Sequence, residues 1–179
     1  ILKGRTVADG SAQRGKYTKA ETASPTVSTD SLFLTVLIDA YERRDIATCD
    51  ITGAYLNAYM RDLIILRLTD WTVDLMCEVN AEYKKYVVME GKTKVLYVRC
   101  NKAIYGCVMS GLLWYDLFSS VLTQSGFEIN PYDTCVANAT IDGSQCTVAW
   151  YVDDMKISHI NPDVVTSIIN TLEKHFGKM

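Results

Sequence analysis

The chain has 179 residues and a formal net charge of −3, and 49% of its residues are hydrophobic and 22% charged. These values are typical of a single globular domain with a real core. The negative net charge weighs against a nucleic-acid partner, because proteins that bind nucleic acid usually carry a basic patch. No apolar run reaches the length of a membrane span, and no secretory signal opens the chain.

Six cysteines occur and none forms a Cys-x-x-Cys pair, so neither a zinc site nor a disulfide framework is indicated. Several lie in apolar runs, where a free cysteine behaves as a small buried hydrophobe, which points to a reducing compartment. The two histidines, His159 and His175, lack the spacing of a metal site or a catalytic triad. We expect both at the surface or at helix ends.

Residues 1–25 are polar. If this start is extended, Lys3 and Arg5 share one strand face and could hold a triphosphate by charge. A basic tail is the alternative. A helix is predicted after the N-cap residues 28–30, because apolar residues then recur with helical spacing and form one face, which we assign to the core. That face comprises Phe33, Val36, Leu37, Ala40 and Tyr41.

A short apolar strand over residues 46–50 ends at a carboxylate, Asp50. Lysine and arginine residues scattered through 84–102 form either a basic patch or a solvated hairpin face. Between Asp50 and residue 100 the patterns predict a buried strand, an irregular insert and a hairpin, over 63–68, 70–85 and 86–98.

The second half of the chain is more regular. A helix is predicted over about 109–124, with Gly126 as its C-cap. Strands over 135–141 and 145–151 flank Asp142-Gly143, a strong signal for a type I′ turn. A third strand at 155–158 makes a meander, and a last helix begins at Asn161-Pro162.

The second bend of this meander carries two adjacent carboxylates, Asp153 and Asp154. An Asp pair in a hairpin is usually only a solvated turn. Here a third carboxylate, Asp50, ends a strand upstream, and like charges held together favour a cation between them. Carboxylates with no nearby cluster of His or Cys residues suit Mg²⁺ or Mn²⁺, so this is the pattern that a two-metal nucleotidyl transferase needs.

Five short motifs are similar to those of one polymerase family and stand in that family's order. On these motifs the chain resembles the reverse transcriptases of copia-type LTR retrotransposons over nearly its whole length. The motifs are Lys3-Gly4-Arg5-Thr6-Val7-Ala8, Glu21-Thr22-Ala23-Ser24-Pro25-Thr26-Val27, Asp50 with Ala54-Tyr55-Leu56-Asn57, Ala103-Ile104-Tyr105-Gly106 with Trp114-Tyr115, and Tyr151-Val152-Asp153-Asp154.

The order of elements fits an α+β fold, an antiparallel sheet with helices on one face. The resemblance implies that this is a reverse-transcriptase palm with partial fingers in a single domain. Fingers-like parts would be residues 1–45 and about 57–102, and palm parts 46–56 and 103–179. The thumb and RNase H regions of the family are expected to be absent.

The resemblance also implies roles for individual residues. Asp50, Asp153 and Asp154 would be catalytic and, with Ile51, would hold the metal. The aromatic ring of Tyr55 would lie under the sugar and exclude a ribose 2′-hydroxyl. Further nucleotide contacts would come from Lys3, Arg5, Gly53, Ala54, Tyr105 and Gly106, and template or primer contacts from Ser110, Tyr151 and Val152.

The implied reaction is RNA-directed DNA synthesis, in which two Mg²⁺ (or Mn²⁺) ions roughly 3.5–4 Å apart promote attack of a primer 3′-hydroxyl on a nucleotide. The implied partners are an RNA or DNA template with primer, dNTPs and other domains of a retrotransposon polyprotein, with no membrane. The implied location is the cytoplasm, in a virus-like particle, with nuclear entry left open.

One segment departs from the family pattern. After Tyr105-Gly106 the family has Lys, Gln, Pro and Arg, and residues 107–112 have none of them. Their loss puts template or nucleotide contacts from this helix in doubt. The alternative function is therefore a decayed or repurposed copy that binds nucleic acid or protein without catalysis.

Overall fold

The computed structural model describes residues 6–179, so the predicted contacts of Lys3 and Arg5 lie outside the described residues. The helices are α1 Lys19–Thr22, α2 Thr29–Glu42, α3 Trp71–Val79, α4 Ser110–Gln124 and α5 Pro162–Phe176, with 3₁₀ turns at Gly10–Gln13, Ala54–Asn57 and Ala81–Tyr86. The strands are β1 Asp45–Asp50, β2 Tyr59–Thr69, β3 Val88–Glu90, β4 Thr93–Lys102, β5 Glu128–Ile129, β6 Val136–Ile141, β7 Ser144–Tyr151 and β8 Asp154–His159.

The strands form two antiparallel sheets, which confirms the α+β class. The larger sheet has the order β1-β8-β7-β6-β5, and the smaller has the order β2-β4-β3. The first strand in sequence, β1, joins the edge of the meander by pairing with β8. The end of β1 therefore meets the bend between β7 and β8.

The main core lies between one face of the five-stranded sheet and helices α4 and α5. Alternate residues of β7 and β8 point into it because successive strand side chains face opposite sides. Burying each large apolar side chain contributes roughly 1.5–3 kcal/mol. The most deeply buried members include Trp114, Phe118, Leu122, Val148, Trp150, Ile157 and Leu172.

Helix α2 lies on the opposite face of the same sheet, so the predicted placement of all helices on one face is wrong. Its inward residues are polar: Thr35 and Asp39 are buried, and the Lys156 ammonium of β8 donates a hydrogen bond to the Asp39 carboxylate. The predicted apolar face points to solvent instead, with Phe33 68% and Tyr41 88% exposed. Helical periodicity located that stripe correctly, but it does not report what covers it.

A buried polar cluster fastens α2 to the sheet. Arg44, which follows α2, donates to the Thr147 hydroxyl at 3.1 Å and lies 3.9 Å from Asp39. It also pairs with Glu42 at 2.8 Å. The side chains of Asp39 and Arg44 are almost fully buried, so these charges depend on each other rather than on water.

The two hairpins of the meander form as predicted, and the type I′ turn is borne out by positive φ at Asp142 and Gly143. The last helix also begins at Asn161 and Pro162, with the Asn161 side chain capping it. The hairpin of β3 and β4 forms as well.

Other expectations were wrong. Strand β2 is at most half-buried, and the stretch expected to be irregular contains α3 and a 3₁₀ turn. His159 is fully buried: its Nδ1 accepts the Asn161 N–H at 3.0 Å, and its Nε2 lies 3.1 Å from the Ile141 carbonyl. These partners lie at a strand end, where no sequence spacing indicates them.

The most buried thiols are those of Cys135, in the turn before β6, and Cys146 of β7. Burial raises the pKa of Cys135 to about 12 and that of Cys146 to about 11, so neither is a thiolate at neutral pH. No helix within residues 6–179 combines the length and apolar character needed to cross a bilayer.

The cluster beneath α2 gives a test of what holds this helix. Asp39→Ala leaves Lys156 buried without its carboxylate partner and should lower the free energy of unfolding by about 3–5 kcal/mol. Replacing both partners by apolar residues, Asp39→Leu with Lys156→Met, should recover most of that loss. Urea unfolding of the three proteins measures both effects. A double variant as unstable as Asp39→Ala would contradict the assignment.

Candidate active site

Two carboxylates face each other across the pairing of β1 with β8. Asp50, the last residue of β1, is the direct partner of Asp154, the first residue of β8. Side chains of directly opposed residues project from the same face with Cβ atoms about 4.5–5.5 Å apart. Two residues remote in sequence thus form one acidic pair, as predicted from the motifs.

The bend itself differs by one residue from the prediction. Its two turn residues are Val152 and Asp153, while Asp154 already belongs to the strand and pairs with Tyr151. The Ile51 backbone N–H donates to the Asp153 carbonyl at 3.1 Å, which ties the turn to the residue after Asp50. The three Asp residues therefore occupy one end of the sheet, with Asp153 on the turn beside the pair.

The acidic pair opens into a cleft of about 420 Å³ on the sheet face opposite the main core. Residues that alternate with core residues line its floor, and residues at and before the start of α2 form a wall. Among the lining residues are Val27, Leu32, Thr48, Asp50, Tyr151, Asp154 and Lys156.

The donor set of this pair suits a hard divalent cation. Within residues 6–179, none of the three carboxylates accepts a hydrogen bond or pairs with a cation, and Asp50 and Asp154 are exposed. Carboxylate oxygens without His or Cys are ligands that Mg²⁺ and Mn²⁺ accept. In the same part of the chain, no three acidic, histidine or cysteine side chains converge as a ready-made metal site. The structure thus supplies two opposed carboxylates and a third carboxylate on the adjacent turn.

Tyr55 stands near this end of the sheet on a 3₁₀ turn. Gly53 precedes that turn with φ of 66°, and Ala54 is fully buried against the main core. The Tyr55 ring packs against the Tyr105 ring with centroids 4.7 Å apart. The two tyrosines predicted to contact the nucleotide are therefore in contact with each other.

Gly106, for which the resemblance implies a nucleotide contact, is crowded by this chain's own backbone. The Ala8 N–H donates to the Tyr105 carbonyl at 2.8 Å. A Cβ on Gly106, whose φ is 92°, would lie 1.9 Å from the Ala8 carbonyl oxygen. Likewise, a Cβ on Gly10 would lie 2.1 Å from the Gly106 oxygen. The glycines permit two backbone segments of this chain to cross closely.

Ser110, for which the resemblance implies a template or primer contact, is buried. It is 1% exposed, and its hydroxyl donates to the Ile104 carbonyl at 2.6 Å, so its side chain is engaged inside the fold. The segment around it is packed inside, with the Val108 N–H donating to the Gln13 side chain at 2.9 Å. Tyr151, by contrast, is 56% exposed beside the turn.

One residue of the site, Trp114, is named in the sequence analysis only as part of a family motif. The Trp114 indole Nε1–H donates to the Val152 carbonyl at 2.6 Å. The sequence reveals the helical stripe that buries Trp114, but not that its polar edge reaches a turn 38 residues away.

The basic residues of the smaller sheet are partly engaged in local contacts. Lys94 pairs with Asp74 at 2.7 Å, and Lys102 donates to the Asn57 carbonyl at 2.9 Å. These contacts weaken the basic-patch interpretation for those two residues, and they leave Lys84, Lys92 and Arg99 exposed.

A comparison with protein families matches residues 2–179 to the family described as reverse transcriptase (RNA-dependent DNA polymerase). Similar curated proteins are a Retrovirus-related Pol polyprotein from transposon RE1 of Arabidopsis thaliana and a Transposon Ty1-DR5 Gag-Pol polyprotein of Saccharomyces cerevisiae. The first is 24% identical over 98% of this chain and 11% of its own length, and the second 27% identical over 97% and 9%. The chain thus spans about a tenth of these relatives. No solved structure was found to match.

The crossing at Gly106 predicts a position-specific effect of a single methyl group. Gly106→Ala should destabilise the fold more than Gly143→Ala, because both have positive φ but only the first meets backbone atoms. The left-handed conformation alone costs roughly 1–2 kcal/mol, which is the loss expected for the control Gly143→Ala. Urea unfolding measures the difference, and equal losses would contradict the crossing.

Proposed function

We propose that this chain, which belongs to the reverse transcriptase (RNA-dependent DNA polymerase) family and is of the copia type, catalyses template-directed nucleotidyl transfer at the Asp50–Asp154 face of its larger sheet. One observation carries the proposal: the register of β1 with β8 sets Asp50 opposite Asp154 at the bend that holds Asp153. The motifs lead us to expect that these residues lie together, and the strand register gives the pairing.

In this proposal Asp50, Asp153 and Asp154 hold Mg²⁺, with Ile51 beside them. Bound divalent ions lower the pKa of a primer 3′-hydroxyl and neutralise charge on the triphosphate and the departing pyrophosphate. The protein's own contribution is geometric. The sheet fixes two carboxylates in place before any ligand arrives, so little reorganisation is needed during the reaction.

The remaining roles follow the surroundings of the acidic pair. Tyr151 and Val152 lie beside the carboxylates and are proposed to contact the primer. Tyr55, braced by Tyr105, is proposed to lie under the sugar, with Gly53 and Ala54 shaping its turn. Lys3 and Arg5 are proposed to bind the triphosphate. The partners would be an RNA or DNA template with primer and dNTPs.

In the same proposal the two sheets belong to different parts of the polymerase. The five-stranded sheet with α4 and α5 would be the palm, and the sheet of β2, β4 and β3 with α3 would belong to the fingers. The chain spans about a tenth of its polyprotein relatives, so we propose that it works together with other domains of a polyprotein. A location in cytoplasmic virus-like particles is a further part of the proposal.

One observation favours the second candidate, a copy that binds without catalysis. The segment 107–112 lacks the family's polar residues, and three of its members, Cys107, Met109 and Ser110, are buried. Calorimetric titration with Mg²⁺ and a dNTP distinguishes the two candidates. Heat from both ligands supports the polymerase, and no heat from either supports the non-catalytic copy.

Substituting the carboxylates tests the proposed function directly. Asp50→Asn and Asp153→Asn should each lower Mg²⁺-dependent primer extension by roughly 10³-fold, because about 4 kcal/mol of charge stabilisation is three decades in rate. Asp142→Asn is the matched control, since Asp142 occupies the other hairpin turn and is exposed. Near wild-type extension by Asp153→Asn would refute the assignment.

The role of Tyr55 is tested by competing sugars. Tyr55→Val opens space at the ring, so the preference for dNTP over rNTP should fall by roughly 10- to 100-fold, as steric pockets of this kind supply. Single-nucleotide extension with each nucleotide measures the ratio. Tyr132→Val, at a residue 97% exposed on a loop, should leave it unchanged. An unaltered ratio in Tyr55→Val would show that the ring does not face the sugar.

A further inference from the structure

The Trp114 side chain has one polar atom in an otherwise apolar setting. The residue is 1% exposed and stacks on Phe118 with ring centroids 5.4 Å apart, while Phe176 packs edge-on at 5.2 Å. A buried indole N–H is costly unless it finds an acceptor. Its acceptor is the Val152 carbonyl at 2.6 Å, on the bend that carries the carboxylates.

Val152 needs such an external restraint. Its φ is 57°, in the left-handed region, and it is the β-branched residue among the four non-glycine residues of 6–179 with positive φ. A β-branched side chain is a true outlier there. Such a conformation persists only where the surrounding structure over-determines it.

Two hydrogen bonds hold this turn from different elements. Trp114 of α4 donates to the Val152 carbonyl, and Ile51, directly after β1, donates to the Asp153 carbonyl at 3.1 Å. The first fixes the strained residue, and the second fixes the next residue against Asp50. Loss of the first would let Val152 relax toward a negative φ and change the direction of the strand that begins at Asp154.

We propose that Trp114 is a positioning residue. Its indole N–H holds the Val152–Asp153 turn in its strained form and thereby sets Asp153 and Asp154 against Asp50. The effect on the turn stands on the geometry alone, whereas the effect on catalysis rests on the proposed polymerase function. A residue that only fills the core would stabilise the fold without this local effect.

The test separates the N–H from the ring. Trp114→Phe keeps an aromatic ring and loses the donor, and replacing the indole by benzothiophene keeps even the bicyclic shape. Phe118→Leu is the matched control, because it removes packing from the same helix and core without touching the turn. Val152→Gly supplies a background in which positive φ carries no strain.

Hydrogen exchange of the Ile51 amide, followed by NMR, reports on the turn without requiring activity. Both donor-deleting variants should speed this exchange by about 10-fold beyond the change in global stability, as expected from one lost hydrogen bond. Phe118→Leu should speed it only as far as global stability falls. In the Val152→Gly background, Trp114→Phe should add little. Exchange that tracks global stability in every variant would overturn the proposal.

Primer extension supplies the second readout. Trp114→Phe should lower kcat by about 10-fold with the KM for dNTP nearly unchanged, since the nucleotide pocket is not altered and the lost restraint is of one hydrogen bond. Val152→Gly with Trp114→Phe should extend primers as Val152→Gly does. If the unaltered chain extends no primer, the polymerase function fails, and Ile51 exchange still decides the role of Trp114.

Discussion

The pairing of β1 with β8 is the constraint on which the rest of the structure depends, because it forces two like charges to face each other. Directly opposed like charges destabilise an antiparallel pair. The other face of the same strands prevents a change of register that would separate the charges, since Cys49, Met155 and Ile157 pack into or against the main core. A slip of one residue would turn those apolar side chains to solvent. Burial on one face thus maintains repulsion on the other.

Helix α2 neutralises a positive charge that lies on the same face as the acidic pair. Directly beside the acidic pair, the sheet presents Lys156, whose ammonium is neutralised by Asp39 rather than by Asp154. The positive charge that could have quenched the acidic pair is therefore committed elsewhere. This arrangement leaves Asp50 and Asp154 available to a cation from solution, and it explains why a helix with an apolar stripe turns its polar residues inward.

Sequence patterns correctly predicted the elements whose structure depends on local residues or on one apolar face. Residue spacing predicts the helix that begins at Ser110, turn chemistry predicts the Asp142-Gly143 turn, and capping predicts the start of the final helix. The family resemblance led us to expect Asp50 near the Asp153–Asp154 bend. The failures share a different cause. The burial of α2, Ser110 and His159, and the crossing at Gly106, depend on which distant segment lies alongside. No periodicity encodes which distant segment that is: Gly106 meets the backbone of Ala8, and Ser110 donates to the Ile104 carbonyl.

The two hairpin turns of the meander differ in how they can form. Asp142-Gly143 suits its backbone without help, whereas Val152 adopts a conformation that its own side chain opposes. The turn of the second hairpin is therefore held by contacts from Trp114 of α4 and from Ile51 after β1. The geometry of the acidic cluster therefore depends on the packing of α4 and β1 against this hairpin, and local unfolding of either element would disperse its carboxylates.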